Sequence, residues 1–398
     1  MIGTNIAKIL IIMQTNQNFF VPEYIKDFKC LGKSCIDSCC IGWDIEIDKK
    51  TYKKYANSSN KEIKLISQKF LVKKDPNSNI AYSKLVNQNN CCPFLSEDKL
   101  CNAYNLLGKE NLSIGCSTYP RIIKKFDKVG FIAGDLSCPE IARLCLSKSN
   151  SKIKRLKKNK LLNIFNSNNI HSFEISKNLS VKILRFIEEI FSQINSPYPF
   201  FDALSEIIVL YGKIYKNNSN KPFSKNENKK IKENFLHKEA VIMAKICFSN
   251  FKDSSRFTKI CRESADKSKY FNISEKEFIK QFVNNYKTRF HKFIKKNDSI
   301  YKNFFLNEFI KNVEKLFVTP DSFDDLIREI ILFLSLSNFL LVCQLFEGKK
   351  RLTVKGYGEV LSAVIKKIQS SRTKTETIRN FLKKLDNNNL FTRLVDIY

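Results

Sequence analysis

Residues 28–48 read FKCLGKSCIDSCCIGWDIEID: Cys30, Cys35, Cys39 and Cys40 fall within eleven positions, and a Trp43-x-Ile45-x-Ile47 alternation follows at once. Thiols at that density need either oxidation or a shared soft metal to carry their charge. The alternation, with Asp44, Glu46 and Asp48 between the apolar residues, predicts a half-buried strand. A fold that begins this way is organised around sulfur first and around an apolar core afterwards.

Working outward, ten of the thirteen cysteines lie between Cys30 and Cys145. Cys247, Cys261 and Cys343 occur singly on apolar helical patterns and are expected in the core, as is Cys145. Of the adjacent pair Cys91 and Cys92, only one side chain is expected to reach a common metal, and Cys92, ahead of Pro-Phe-Leu, is the choice. The expected metal ligands are therefore Cys30, Cys35, Cys39, Cys40, Cys92, Cys101, Cys116 and Cys138. Their spacing, C-x4-C-x3-C-C at the start, is not that of a zinc ribbon. Nor is it the C-x3-C-x2-C of radical S-adenosylmethionine enzymes, because position 42 is glycine. Sulfur-only donors select zinc or an iron–sulfur cluster over hard cations. His171, His237 and His291 have no partner at i+4 and are not expected as ligands.

The net charge of +30 comes almost wholly from lysine, there being twelve arginines. It divides as +7 over residues 1–145 and +23 beyond them. The cysteines and the excess positive charge thus occupy different regions. An AT-rich coding bias toward Lys, Asn, Ile and Phe accounts for much of it, and no recognised nucleic-acid motif accompanies it. The apolar run Ile6–Met13 is too short to span a membrane and lacks a cleavage site, with Met13 an alternative start. Leu326–Phe346 carries Arg328, Glu329, Asn338 and Gln344 and is expected as a buried central helix. A cytoplasmic protein with free thiols and no membrane association is the expectation.

Periodicity sets the architecture. Short helices are expected at 49–59 and 61–73, a helix ending at Gly108, two strands within Arg121–Ser137 around a turn at Asp127–Gly130, and a helix with Pro139 at its first position. Ser147–Lys160, with seven Lys/Arg in fourteen positions, reads as a solvated linker. Beyond it the pattern is helical, with Ile183, Phe186, Ile187, Ile190 and Ile194 on one face and a loop at Tyr215–Lys230. The fold class expected is mainly α. Residues 1–18 form an N-terminal extension, 19–146 a small cysteine-rich metal-binding domain with short strands, and 161–398 an α-helical domain. The Gly356–Val360 segment GYGEV lacks both a preceding strand and a third glycine, so no dinucleotide-type cofactor loop is expected.

Three segments carry a family resemblance: FVPEYIKDFKCLGKSCIDSCCIGWDIEIDKKTYKKY, CPFLSEDKLCNAYNLLGKENLSIGCSTYPR and DLSCPEIARL. In this order, over residues 19–145, they resemble the flagellin lysine-N-methylases, within the wider group of cysteine-rich zinc- or iron-chelating proteins. The resemblance implies methyl transfer from S-adenosylmethionine to lysine amines of flagellin, with a cysteine-ligated iron–sulfur centre, 4Fe-4S by preference and zinc as the alternative. Two positions depart from the family: Ser113 where a further cysteine is usual, and Ser117 where an arginine often stands. The loss of one thiol leaves the cluster type open.

Methyl transfer to an amine needs a neutral nucleophile aligned with the leaving sulfur, and groups that hold the ammonium and accept its proton. Near the cysteines, Trp43, Asp44, Tyr104, Tyr119 and Asp135 are the available suppliers, and Arg121 could hold a carboxylate of the methyl donor. The alternative function is a non-enzymatic metal-chelating module whose basic helical region binds an acidic partner or nucleic acid. A redox enzyme is disfavoured because no flavin or nicotinamide signature is present.

Overall fold

A computed structural model describes residues 18–126, 129–149, 152–157, 173–175, 181–215, 229–248, 255–317, 322–348 and 351–370. His171, Met13, nearly all of the 1–18 extension and the interior of the Tyr215–Lys230 loop lie outside them.

Two sheets organise the N-terminal half. β1 (Asn18–Pro22), β5 (Arg121–Phe126), β6 (Val129–Gly134), β7 (Ile153–Lys157) and β8 (Phe173–Ile175) form a five-stranded sheet in the order β7-β1-β6-β5-β8. β1 runs parallel to β6, with Phe19 opposite Gly130, and antiparallel to β7. Its sequence NFFVP is buried throughout, as suits a central strand covered on both faces. A Cβ on Gly130 would meet the Phe19 ring at 2.2 Å, so glycine at that position lets the phenyl ring lie flat over the neighbouring strand. β5 and β6 pair antiparallel, from Phe126 opposite Val129 to Arg121 opposite Gly134, as the hairpin pattern predicts.

Between β1 and β5 the chain makes the cysteine-rich excursion. It holds a small antiparallel sheet, β2 (Ile45–Ile47), β4 (Ser83–Leu85) and β3 (Leu71–Lys73) in the order β2-β4-β3. Helices α1 (Lys49–Ala56), α2 (Lys61–Phe70), α3 (Asn102–Leu107) and α4 (Ile114–Thr118) surround it. Asp48 starts two of these helices at once: one carboxylate oxygen accepts from Thr51 N at 2.9 Å, the other from Ile114 N at 3.1 Å. A separate small core of Cys40, Ile47, Tyr55, Ile63, Leu85, Cys92, Phe94 and Ala103 lies here. Gly108 ends α3, as expected, with φ +83° and ψ 165°, an extended positive-φ conformation that favours glycine.

The remaining helices are α5 (Pro139–Ser147), α6 (Val181–Ile194), α7 (Phe200–Tyr215), α8 (Lys229–Phe248), α9 (Arg256–Lys267), α10 (Glu275–Asn285), α11 (His291–Lys296), α12 (Ser299–Lys311), α13 (Ser322–Cys343) and α14 (Val354–Ser370). The chain is mainly α, as its periodicity predicts. α13 is buried almost end to end, which is the expected place for the Leu326–Phe346 run. Its polar residues are satisfied inside: Tyr357 Oη donates to Asn338 Oδ1 at 2.7 Å, and Asn338 Nδ2 donates to Tyr301 Oη at 2.9 Å. Cys145, Cys247, Cys261 and Cys343 are core residues, as expected.

Two expectations are overturned. The helix expected over 61–73 ends at Phe70, and Leu71–Lys73 is strand β3, paired with β4. Ser147–Lys160 is not simply a linker, because Ile153–Lys157 is the edge strand β7, paired along its length with β1. Its basic residues belong to the exposed rim of the sheet: Lys154 bridges to Glu23 at 2.6 Å and Arg155 pairs with Glu188. Ile153 and Leu156 pack on the core. Charged side chains on an edge strand block further strand addition, and in sequence they look like a solvated linker. The large core takes side chains from both sides of this segment, Phe19 and Phe131 together with Phe309 and Leu340. The segment GYGEV lies in helix α14, where Gly358 faces the backbone of Ala142 in α5.

Candidate functional site between the cysteine loops and the helices

The cysteine loops are held by backbone pairing. Cys92 N donates to Cys40 O at 2.7 Å, Gly42 N to Asn90 O at 2.9 Å, and Asn102 N to Phe94 O at 2.7 Å. This ladder gathers the thiols of Cys39, Cys92 and Cys101 about that of Cys40. Contact with the Cys40 thiol lowers the Cys101 pKa to about 6 and that of Cys39 to about 7, and lowers Cys92 as well, while Cys40 itself is pushed far up. Cys116 feels the charges of Cys101, Cys92 and Cys39, and burial raises it to about 12. Five of the eight expected ligands therefore share one neighbourhood. Cys30, Cys35 and Cys138 form a second, in which burial raises Cys138 to about 12 and Cys35 also upward.

Among the described residues, no group of three or more His, Cys, Asp or Glu side chains has the arrangement of a bound metal site. The donor chemistry of the five-thiol group nevertheless fits a soft ion. It contains sulfur only, and Cys39, Cys92 and Cys101 are disposed to ionise. Cys91 forms isolated backbone bridges with Gln88 and with Ile41. Ser113 caps α4, its hydroxyl accepting from Cys116 N at 3.3 Å, so this serine supplies a helix cap beside a thiol.

Trp43 stands at the edge of this cluster. Its indole Nε1 donates to Cys39 O at 2.9 Å, and its ring meets Tyr119 edge-on at 5.8 Å. Tyr119 Oη and Ser137 Oγ are 3.1 Å apart; burial raises the phenol well above its usual range, and the Cys138 and Asp135 charges add to this. Asp44 and Tyr104 are not part of the same assembly. Asp44 is exposed and bound to Lys84 and to Asn87 N, and Tyr104 is half exposed on α3. Arg121 lies with its guanidinium 5.0 Å from the Phe28 ring centre, its pKa lowered by burial.

Asp135, at the end of β6, faces a buried charge group on α12. Lys311 Nζ lies 3.6 Å from Asp135 Oδ1 and 3.7 Å from Glu308 Oε2. Burial raises Glu308 to about 7 against the pull of Lys311. For Lys311, burial acts downward, but the charges of Asp135 and Glu308 outweigh it and the pKa rises.

The cysteine loop is fastened to the helices by residues that sequence reading passed over. Lys366 of α14 donates from Nζ to Asp37 Oδ1 at 2.8 Å and to Ser38 O at 2.6 Å, and sits 5.3 Å from the Trp43 ring centre. Arg256 of α9 approaches Asp37 at 3.9 Å and donates to Ser362 Oγ at 3.1 Å and to Glu359 O at 2.6 Å. Beside this junction a cleft of ≈ 260 Å³ opens between Ile36, α9, the end of α13 and the start of α14, lined by Arg256, Glu263, Gln344, Arg351, Thr353 and Glu359 among others. Asp37 stood in plain view between two cysteines. Lys366 carried no signal, being one lysine among many, and only the folded chain singles it out.

A stretch of 127 residues, 32% of the chain, is 36% identical to the flagellar biosynthetic protein FliU of Salmonella muenchen, covering 75% of that protein. At the same identity and over the same length it matches lysine-N-methylases of Salmonella choleraesuis and Salmonella typhimurium, covering 32% of each. The chain thus spans about a third of the length of the two methylases it matches. No family model matches the chain. No solved structure matches it either.

Proposed function

The chain belongs to the family of the lysine-N-methylases and the flagellar biosynthetic protein FliU, and from that premise we propose that it is a protein-lysine N-methyltransferase using S-adenosylmethionine as methyl donor and flagellin lysines as acceptors. The observation that carries the reading is the junction itself. A cleft holding both carboxylate and guanidinium side chains is lined by Ile36 and Arg256, which adjoin Asp37, and Asp37 pairs with Lys366 over the Trp43 ring.

The donor is a zwitterionic amino acid bearing a sulfonium methyl. Arg256 and Arg351 line the cleft and would meet its carboxylate, and Glu263 and Glu359, also in the lining, its ammonium. The Trp43 face favours a cation over a neutral group, so it holds an approaching lysine ammonium at the rim. Asp37, itself largely buried, accepts the proton that must leave before the amine can attack. The lysine nitrogen then forms the N–C bond as the C–S bond breaks, and the sulfur departs as a neutral thioether.

Cys39, Cys40, Cys92, Cys101 and Cys116 would hold an iron–sulfur cluster or a zinc ion, and Cys30, Cys35 and Cys138 lie within the same unit. Such a centre would supply positive charge to balance the thiolates and would fix the loop carrying Asp37 and Trp43. Intact mass of flagellin co-expressed with and without this protein tests the reading. Increments in methyl units are expected. An unchanged flagellin mass, with the protein folded and metal-loaded, would refute flagellin as the acceptor.

A further inference from the structure

Lys366 is surrounded in a way that an ordinary surface ion pair is not. Its side chain is 12% exposed and that of Asp37 10%. The ammonium is met by a carboxylate oxygen at 2.8 Å, a carbonyl oxygen at 2.6 Å and the face of an indole ring at 5.3 Å. A fourth wall is Gly42: with φ +101° it carries no side chain, and a Cβ there would lie 3.6 Å from Lys366 Cε. The indole is fixed in turn by its own hydrogen bond to Cys39 O and by the edge of Tyr119. Three kinds of contact that favour a primary alkylammonium, namely charge, hydrogen-bond acceptance and a π face, converge on one nitrogen. The methylene stem reaches them along the backbone of a glycine.

We propose that Asp37, the Ser38 carbonyl and the face of Trp43 form a binding site for the ammonium end of a lysine side chain, and that Lys366 fills this site in cis. All three walls belong to the cysteine loop, whereas Lys366 comes from α14. The site is therefore built by one unit and occupied by another, and a lysine from a second protein can replace Lys366 without changing any wall. Its use as the acceptor-lysine position rests on the methyltransferase reading; the binding claim does not. In that use, withdrawal of Lys366 is what admits an acceptor lysine, and the resident lysine competes with it.

The test uses the full chain and its single tryptophan as reporter. Lys366→Ala empties the site while leaving Trp43 in place. Titration with n-butylammonium should change Trp43 emission saturably in K366A, with at least tenfold tighter response than in the unaltered protein. n-Butanol should produce no such response, and Asp37→Asn in the K366A background should abolish it. Lys366→Met keeps the apolar stem and opens only the ammonium position, so if K366A does not fold, K366M titrated with methylammonium gives the same reading. Equal responses with and without Lys366, or a response to butanol matching that to the amine, would overturn the site. The methyltransferase reading is judged separately: amine binding by K366A with no methyl transfer to any protein sinks that reading alone. Methyl transfer with the same KM in K366A as in the unaltered protein sinks the acceptor role of the site alone, since competition by Lys366 requires KM to fall at least severalfold.

Discussion

Asn307 of α12 and Gly134 at the end of β6 are hydrogen-bonded in both directions: Gly134 N donates to Asn307 Oδ1 at 2.9 Å, and Asn307 Nδ2 donates to Gly134 O at 2.9 Å. The amide group behaves as a further residue of the sheet, contributed by a helix. Tyr24 completes the joint, its hydroxyl bonded to Asn307 Oδ1. Gly134 has no room for a side chain, since a Cβ would meet Ile141 at 2.4 Å.

Asn307→Leu should therefore destabilise the protein strongly. Gly134 O and the Tyr24 hydroxyl lose their partners while Gly134 N keeps Tyr24 Oη at 3.2 Å, and at about 1–3 kcal/mol for each of the two groups a loss of about 2–6 kcal/mol is expected in denaturant unfolding. A loss below about 1 kcal/mol would mean that these groups find other partners.

Glu308 sets a pH dependence. Burial raises its folded pKa from 4.5 to about 7, so between these values the native state holds a proton that the unfolded state has released. Stability contributed by this proton is present at low pH and is lost as pH rises through about 7. The size is about 3 kcal/mol by linkage, to order of magnitude. Glu308→Gln should flatten the stability profile between pH 4.5 and 7. An unchanged slope in the variant would place the titration elsewhere.

The cysteine substitutions should not be equivalent. Cys40→Ser and Cys101→Ser should each remove most of the bound metal, measured by elemental analysis of protein purified without oxygen. Cys138→Ser should retain a larger share, because its thiol faces Cys30 and Cys35 rather than the Cys40 group. Full metal content in both C40S and C101S would rule out the five-thiol group as the binding site.

Trp43→Ala should lower kcat/KM for methyl transfer by about tenfold, the loss of a cation–π contact worth roughly 1–2 kcal/mol. Trp43→Phe retains a π face and should recover most of it. A tryptophan that served only as packing would show loss of stability in W43A with kcat/KM of the folded fraction unchanged.

Local chemistry was legible in the sequence. Pro139 opens α5, the Arg121–Ser137 hairpin forms, Ile45 and Ile47 lie in a strand, and the core cysteines were separated from the clustered ones. What stayed hidden depends on pairings across long stretches of chain. β1 meets β6 in parallel, Asn18 opposite Val129, and nothing in NFFVP announces that partner. The junction pairs Asp37 with Lys366 and Arg256, and among so many lysines no pattern distinguishes the one that is buried. Composition also misled at Lys154 and Arg155, where the charges that suggested a linker are those of an edge strand. Of the eight expected ligands, spacing could not say that five gather about Cys40 while three stand apart.

The placement of β1 has a consequence for biosynthesis. The strand is made early, yet its neighbours β6 and β7 begin only at Val129 and Ile153. Every thiol from Cys30 to Cys116 thus leaves the ribosome while the sheet is still open, on a nascent chain whose loops have not been drawn against α9 and α14. That interval is when a metal donor has freest access. Iron or zinc supplied during translation should load the protein more completely than the same metal added to finished, folded chains, as metal content after cell-free synthesis with early or late addition would reveal.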